Sequence, residues 1–218
     1  RDKKQQETDI GKRTLVQHAL ADRARPAALV TSANPHLSGE ASPSYWQFAG
    51  RNSADGAIRL AAGPLLEAEL QQIHGRPLTP GSAIATSAGL LEAEMLVHAI
   101  APDRLYGAAP GSGTNPLAQL RSCYESALQL ADEAGMQSIT FPPIGCGVRG
   151  WPPALSAKAA IQAFEERAPS LRSLRVCEIV SLEMHTHKTW ASVLREHVKS
   201  RRDSLLGFDP EDDEPRIT

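Results

Sequence analysis

Apolar and polar positions along this chain follow two different periods. Short apolar runs bounded by Pro, Gly or polar clusters predict buried strands at residues 27–31, 83–86, 95–100, 137–141 and 175–182. Apolar residues three or four positions apart predict helices at residues 14–25, 56–73, 116–134, 153–168 and 190–198. Strands that alternate with helices favour an α/β fold in which one sheet is covered on both faces.

The same pattern divides the chain into a domain and two flanking segments. Residues 14–198 carry the periodic pattern, whereas residues 1–13 are polar and are expected to be flexible. Residues 199–218 are charged and contain Pro, so we expect a disordered tail. Residues 34–55 hold Pro, Gly, Ser and Asn without a period. A loop longer than about 12–15 residues is usually functional or disordered.

The composition of the chain limits the kinds of binding partner and of cellular compartment that are expected. Of 218 residues, 41% are hydrophobic and 22% charged, which is typical of one globular domain. The net charge of −2 lacks the Lys and Arg excess of nucleic-acid binders, and no apolar run reaches the roughly 20 residues that a membrane span needs. Three scattered cysteines suggest a reducing intracellular compartment, the cytoplasm or nucleus. Because the first residue is Arg1, a removed targeting segment stays open.

The glycine-rich stretch at residues 138–152 is the most informative part of the sequence. An apolar strand leads into Gly145, Gly147 and Gly150, and Pro152 and Pro153 then open a helix. Glycines let backbone N–H groups approach an anion, and the start of a helix adds its positive end. This chemistry suits a diphosphate. The alternative interpretation is a tight connection between a strand and a helix.

Several segments resemble, in the same order, those of macro domains. Residues 144–152 resemble the family loop that follows a Phe-Pro strand, and residues 30–39 resemble Val-Asn-Ala-Ala-Asn-x-x-Leu-x-Gly. Residues 54–64 resemble Val-Asp-Gly-Ala-Ile-His-x-Ala-Ala-Gly-Pro. Further matches lie at residues 81–89, at residues 98–100, and at Leu120, Cys123 and Tyr124. The resemblance covers residues 27–198, which is most of the chain.

This resemblance implies a three-layer α/β/α sandwich with a mixed central sheet and a crevice for ADP-ribose. It assigns the diphosphate to the backbone of residues 145–149, the distal ribose to Asn34, and the activation of water to Asp55. The full set expected to bind the ligand is Gly39, Gly145, Cys146, Gly147, Val148, Arg149, Gly150 and Trp151. The expected partners are ADP-ribose or ADP-ribosylated proteins, and no metal or redox cofactor is implied.

The residues themselves allow two roles for Asp55. A carboxylate beside the anomeric carbon could act as the base that activates water. An Asp just before Gly-Ala-Ile is also a good helix N-cap that needs no chemistry.

The chain departs from the family pattern at three places. The glycine run after Gly39 is replaced by a bulkier loop at residues 40–54, whose aromatic residues Tyr45, Trp46 and Phe48 either cover the ligand or anchor the loop. Arg149 stands where an aromatic residue usually stacks, so it would pair with phosphate or lie on the ribose. The acid that reads adenine has no clean counterpart, although Asp22 and Asp9-Ile10 are nearest.

Two further groups have the residue types of reactive sites. The segment Glu183-Met184-His185-Thr186-His187 suits a metal, but we interpret it as polar residues at the solvent end of a strand. Loop amides could lower the pKa of Cys146, but no basic partner is evident, and we interpret it as a small residue that fits. His98 is expected to be a satisfied core histidine.

Three functions remain open at this stage. The first is hydrolysis of ADP-ribosyl esters, on protein or in O-acetyl-ADP-ribose. The second is a module that binds ADP-ribose without cleaving it, because the altered loop misplaces Asp55. The third is a scaffold or RNA-interaction protein with a degenerate pocket, against which the slightly acidic balance argues.

Overall fold

The computed structural model describes residues 27–38, 53–73, 75–104, 115–181 and 183–205. The strands in these ranges are β1 (Ala27–Ala33), β2 (Ala83–Thr86), β3 (Met95–Ile100), β4 (Ser138–Phe141) and β5 (Val176–Ile179). They form a five-stranded sheet in the order β2-β3-β1-β4-β5. The pairs β1–β3, β1–β4 and β4–β5 are parallel, whereas β2 runs antiparallel to β3. The mixed sheet is therefore confirmed.

Helices cover the sheet on both faces. Helices α1 (Ala54–Ala62) and α2 (Pro64–Ile73) pack on one face. Helices α3 (Pro116–Glu133), α4 (Pro153–Arg167) and α5 (Met184–Leu205) form the layer on the other face. Successive side chains of a strand point to opposite faces, so Ala28 and Val30 join one core while Leu29 and Ala33 join the other. The predicted α/β/α sandwich is confirmed.

The helix predicted at residues 56–73 is two helices. Residues 56–73 were expected to form one helix, but α1 ends at Gly63, where φ is +74°. The Gly63 amide donates to the Arg59 carbonyl, and Pro64 then begins α2. A glycine with positive φ closes a helix, and Pro suits the first position of the next one. The prediction missed the meaning of this Gly-Pro pair.

The end of the chain also differs from the prediction. Helix α5 spans Met184–Leu205 instead of residues 190–198, so residues 199–205 are helical rather than part of a disordered tail. Residues 206–218 lie outside the described ranges. None of the helices described here combines the length and the apolar content that crossing a membrane requires.

Most other boundaries are close to the predicted ones. Strands β2 and β3 have the predicted bounds, and α3 and α4 each end one residue early. Strand β1 continues two residues beyond its predicted end, to Ala33, and β5 covers only Val176–Ile179. The predicted helix at residues 14–25 lies outside the described residues.

Candidate functional site

Two loops leave the same edge of the sheet. Strands β1 and β4 pair in parallel, with Ala27 opposite Ser138 and Leu29 opposite Thr140. The turn at residues 34–38 follows β1, and the glycine loop, residues 142–152, follows β4. Parallel neighbours end at one edge, and ligands of α/β proteins bind in the crevice beyond that edge. The topology therefore brings together the two segments that carry most of the predicted ligand residues.

The glycine loop presents backbone donors at its tip. Gly145 and Gly150 adopt φ values of +79° and +70°. The amides of Gly145, Gly147 and Val148 donate to no acceptor within the described ranges. Gly147 and Val148 are exposed, and α4 begins immediately after the loop without a side-chain cap. Open amides beside a helix start form a concave site for an anion.

The indole of Trp151 lies under this loop and supports it. Trp151 is 5% exposed and belongs to the core between the sheet and α3. Its Nε1 donates to the Pro102 carbonyl at 2.9 Å, and its amide donates to the Gly145 carbonyl at 3.0 Å. A Cβ added at Gly145 would lie 2.6 Å from Trp151 Cδ1. The position of Trp151 explains why residue 145 is glycine, and its expected contact with the ligand stays a prediction.

A closed ring of buried hydrogen bonds fixes Ile144, the residue before Gly145. The Ile144 amide donates to Tyr124 Oη at 2.9 Å. Ser156 Oγ donates its hydrogen to the Ile144 carbonyl oxygen at 2.8 Å. The Tyr124 hydroxyl, 2.8 Å from Ser156 Oγ, therefore donates to Ser156 Oγ. Tyr124 and Ser156 are fully buried on α3 and α4. Sequence reasoning noted Tyr124 only as a landmark and missed Ser156.

Cys146 is a half-buried residue of the glycine loop. Burial raises the pKa of Cys146, against the lowering effects of Ser156 and Trp190. The expectation that loop amides lower this pKa is therefore wrong. The interpretation of Cys146 as a small residue that fits agrees with its surroundings.

Arg149 connects the glycine loop to the end of β1. Its side chain is 7% exposed, and Nη2 donates to the Ala33 carbonyl at 3.3 Å. Burial lowers the pKa of Arg149, whereas the nearby charges of Asp103, Cys123 and Asp55 raise it. The guanidinium therefore lies between the two loops and within the electrostatic reach of Asp55.

Asn34 closes the turn after β1. Its Oδ1 accepts hydrogen bonds from the amides of His36 (2.9 Å) and Ser38 (3.3 Å), and the Leu37 amide donates to the Asn34 carbonyl at 3.0 Å. Leu37 has a φ of +51°, an uncommon value for a side chain of this kind. In this structure Asn34 shapes the turn, and its predicted contact with the ribose stays a prediction.

Asp55 lies in the first turn of α1 and faces β1. Thr31 Oγ1 donates to Asp55 Oδ1 at 2.8 Å. The N-cap is Ser53, whose hydroxyl accepts from the Gly56 amide at 3.0 Å, so the alternative of Asp55 as the cap is wrong. Burial raises the pKa of Asp55, although the charges of Arg59 and Arg149 and the Thr31 hydrogen bond lower it. Sequence reasoning missed Thr31, whose only signal is a hydroxyl inside an apolar strand.

Some predicted residues lie outside the described ranges. These are Gly39, the aromatic residues Tyr45, Trp46 and Phe48, and the adenine-site candidates Asp22 and Asp9-Ile10. Their expected roles stay predictions.

The histidines differ from the expectation in two respects. His185 and His187 lie in the first turn of α5 and not on a strand. Among the described residues, no group of three or more His, Cys, Asp or Glu could hold a metal ion. His98 is fully buried and its Nε2 lies 2.9 Å from Thr86 Oγ1, but its Nδ1 has no hydrogen-bond partner in the described part of the chain. The core position is correct, and one ring nitrogen of the two is satisfied.

Comparison with known proteins gives one consistent family. The family model described as Macro domain matches residues 30–160. A macro domain-containing protein of Streptomyces nogalater is 31% identical over 83% of this chain and 91% of its own length. A protein of Citrobacter rodentium named O-acetyl-ADP-ribose deacetylase is 37% identical over 64% of this chain and 71% of its own. A variant of the Oceanobacillus iheyensis macrodomain, solved with ADPR, aligns with a TM-score of 0.65 and 25% identity over 80% of this chain and 87% of that one.

Proposed function

Because this chain belongs to the macro domain family, we propose that it binds ADP-ribose at the edge of the sheet beyond β1 and β4 and hydrolyses ADP-ribosyl esters there. The substrates would be mono-ADP-ribosylated protein or O-acetyl-ADP-ribose. The observation that carries the proposal is the shared sheet edge. The glycine loop with its open amides and the Asn34 turn both follow strands that end at this edge, and Asp55 is hydrogen-bonded to Thr31 of β1.

Binding rests on complementarity to the diphosphate. The amides of Gly145, Gly147 and Val148 and the start of α4 supply partial positive charge without a lysine or a metal. Arg149 adds a full positive charge between the loops. The ADPR-bound variant of the Oceanobacillus iheyensis macrodomain supports the choice of ligand.

Hydrolysis rests on the environment of Asp55. In the proposed reaction, water cleaves the ester into ADP-ribose and a carboxylate, and Asp55 accepts the proton that this water loses and afterwards releases it to solvent. Burial raises the pKa of Asp55 towards the working range of a general base. The Thr31 hydrogen bond orients one carboxylate oxygen, and in the proposed reaction the other oxygen accepts the proton of the water. The name of the Citrobacter rodentium relative supports this class of reaction. We propose an intracellular setting with ADP-ribosylated proteins as partners, and no resident metal or redox cofactor.

The decisive test separates binding from turnover. ADP-ribose is titrated calorimetrically into the wild type and Asp55→Asn, with AMP and ADP beside it, and hydrolysis of both esters is measured. We expect Asp55→Asn to bind ADP-ribose within a few-fold of the wild type but to lose at least about 100-fold in kcat. Glu92→Gln, the same chemical change at an exposed position, should leave both quantities unchanged.

Two results would contradict the proposal in different ways. If the wild type binds ADP-ribose but releases none from either ester, the chain is a module that binds ADP-ribose without cleaving it. If neither ADP-ribose nor ADP binds, the crevice does not serve this ligand, and only the fold and the family stand.

A further inference from the structure

Arg59 is a buried cation at the centre of the polar contacts around the proposed site. It lies on α1, four residues after Asp55, and only 8% of it is exposed. A buried guanidinium is costly unless its donors are satisfied.

The first role of Arg59 is mechanical. Its Nη1 donates to the Leu37 carbonyl at 3.0 Å, across 22 residues of sequence. Leu37 closes the turn that begins at Asn34 and holds a positive φ of 51°. A backbone held in this region persists only where its surroundings support it. The guanidinium thus anchors the turn that carries Asn34 to helix α1.

The second role of Arg59 is electrostatic. Its Nη2 makes an ion pair with Glu67 Oε2 of α2 at 2.8 Å. The charge of Arg59 stabilises the Asp55 carboxylate, whereas that of Glu67 destabilises it, and Arg149 of the glycine loop acts in the same direction as Arg59. On β3, burial lowers the pKa of His98 to about 4, and Arg59 lowers it as well. His98 is therefore neutral near pH 7, and among the described residues of α1 and α2 the charges that act on the Asp55 carboxylate are those of Arg59 and Glu67.

We infer that Arg59 is a positioning residue of the proposed ADP-ribose site: it fixes the Leu37 carbonyl beneath the Asn34 turn and, balanced by Glu67, sets the charge around Asp55. This inference rests on the proposed function for its substrate, but its geometry is independent of turnover. Arg59 itself is buried by α1, α2 and the turn and needs no contact with the ligand.

The test compares Arg59→Met with Glu67→Gln, because the two changes have opposite electrostatic signs. The ionisation midpoint of Asp55 is followed by carboxyl-carbon NMR, with Asp55→Asn identifying its signal, and ADP-ribose affinity is measured by calorimetry. Arg59→Met removes the favourable charge and should move the midpoint to higher pH. It also releases the Leu37 carbonyl and should weaken ADP-ribose binding by about tenfold.

Glu67→Gln should move the midpoint in the other direction. It removes an unfavourable negative charge but leaves the Arg59–Leu37 hydrogen bond, so the midpoint falls while ADP-ribose affinity stays within about twofold. Arg59→Lys keeps the charge and should restore the midpoint towards the wild type. If the protein is a hydrolase, the acid limb of its kcat/KM profile should move with the NMR midpoint in each variant.

The outcomes distinguish this inference from the proposed function. Arg59→Met with an unchanged Asp55 midpoint and unchanged affinity would overturn the inference, whether or not the wild type hydrolyses esters. If Arg59→Met does not fold, Glu67→Gln decides, since Glu67 is 45% exposed and its replacement is tolerated by the core. An unchanged midpoint in Glu67→Gln then overturns the inference. If Arg59→Met and Glu67→Gln shift the Asp55 midpoint in opposite directions but the wild type hydrolyses neither ester, the inference is upheld and the proposed hydrolase activity is rejected.

Discussion

At the scale of single residues, the proposed site depends on backbone conformations that few side chains tolerate. Gly145 has a φ of +79°, and a Cβ at this position would collide with the ring of Trp151. Gly147, two residues further on, has no atom within 4 Å of where a Cβ would lie. The steric contact with Trp151 therefore applies to Gly145 and not to Gly147, so the two glycines form a matched pair for mutation.

Replacing Gly145 by Ala should damage both stability and ligand binding. The new Cβ would lie 2.6 Å from Trp151 Cδ1, so the loop or the indole must move, and the positive φ adds strain. We expect Gly145→Ala to lower the free energy of unfolding by about 2 kcal/mol and to weaken ADP-ribose binding. Urea denaturation and calorimetry measure the two effects. Gly147→Ala is the control for stability, because no atom lies within 4 Å of its added Cβ, and an equal loss of stability in both variants would show that the Trp151 contact is not the cause.

The sequence predicted some of these residues because their signal is local. Three glycines and two prolines within a few positions announce a tight loop before a helix. The partners of Asp55 and Arg59 gave no such signal. Thr31 lies 24 positions from Asp55, and Leu37 lies 22 positions from Arg59. A buried polar pair across such a separation is fixed by the packing of α1 on β1, which no local pattern encodes.

At the scale of elements, helices α3 and α4 determine the shape of the glycine loop. Tyr124 of α3 and Ser156 of α4 hold both backbone groups of Ile144. The ring of three hydrogen bonds is buried, so removal of one partner leaves a polar atom unsatisfied, because water cannot reach it. The positions of helices α3 and α4 thereby fix the position of Ile144, the residue before Gly145.

Breaking this ring of hydrogen bonds should weaken ligand binding at the proposed site, although the substitutions lie outside that site. Tyr124→Phe leaves the Ile144 amide without an acceptor, and Ser156→Ala leaves the Ile144 carbonyl without that donor. We expect each change to cost ~1–3 kcal/mol of stability and to weaken ADP-ribose binding several-fold. Because both residues hold Ile144, the double variant should lose less than the sum of the single losses.

The control for this pair is Ser192→Ala on α5, where the hydroxyl donates, within the described residues, to Glu196 of the same helix at the surface. Its stability and its affinity should remain those of the wild type. Additive losses in the Tyr124→Phe, Ser156→Ala double variant would argue that the two side chains act independently and that no closed ring exists in solution.

Element boundaries show where pattern reasoning succeeds and fails. Strands β2 and β3 were predicted to the residue because breakers flank their apolar runs. The single helix predicted at 56–73 failed at Gly63, since an apolar period continues across the Gly-Pro break. The start of helix α5 at Met184 was missed because His185 and His187 are compatible with a helix as well as with a strand. Periodicity detects the buried face of an element but does not detect where a polar element starts.

At the scale of the whole molecule, the layers are connected through a few carboxylates. Asp132, near the end of α3, accepts hydrogen bonds from the amides of Arg172 (2.9 Å), Ser173 (2.6 Å) and Leu174 (2.9 Å), which lead into β5. This contact joins the helical layer to the outer edge of the described sheet. The alternation of strands and helices predicted the sandwich, but this connection spans 40 residues and depends on the completed fold.

Removing the charge of Asp132 should destabilise the protein in a way that depends on pH. Desolvation alone would raise the pKa of Asp132, but the amides of Arg172, Leu174 and Ser173 together lower it. A pKa that is lower in the folded state stabilises the fold at every pH above the unfolded value, about 3.9, and this contribution is lost as the pH falls through the folded value. Asp132→Asn should therefore be less stable than the wild type at pH 7, and the gap should narrow below about pH 4. Urea denaturation across this range measures the gap.

Glu133→Gln, the neighbouring change at an exposed position whose partner is Gln129 of the same helix, should show no such gap at either pH. A gap of equal size at pH 7 and pH 3 would mean that Asp132 acts through the shape of its side chain and not through its charge, because only the charge is titrated in that interval.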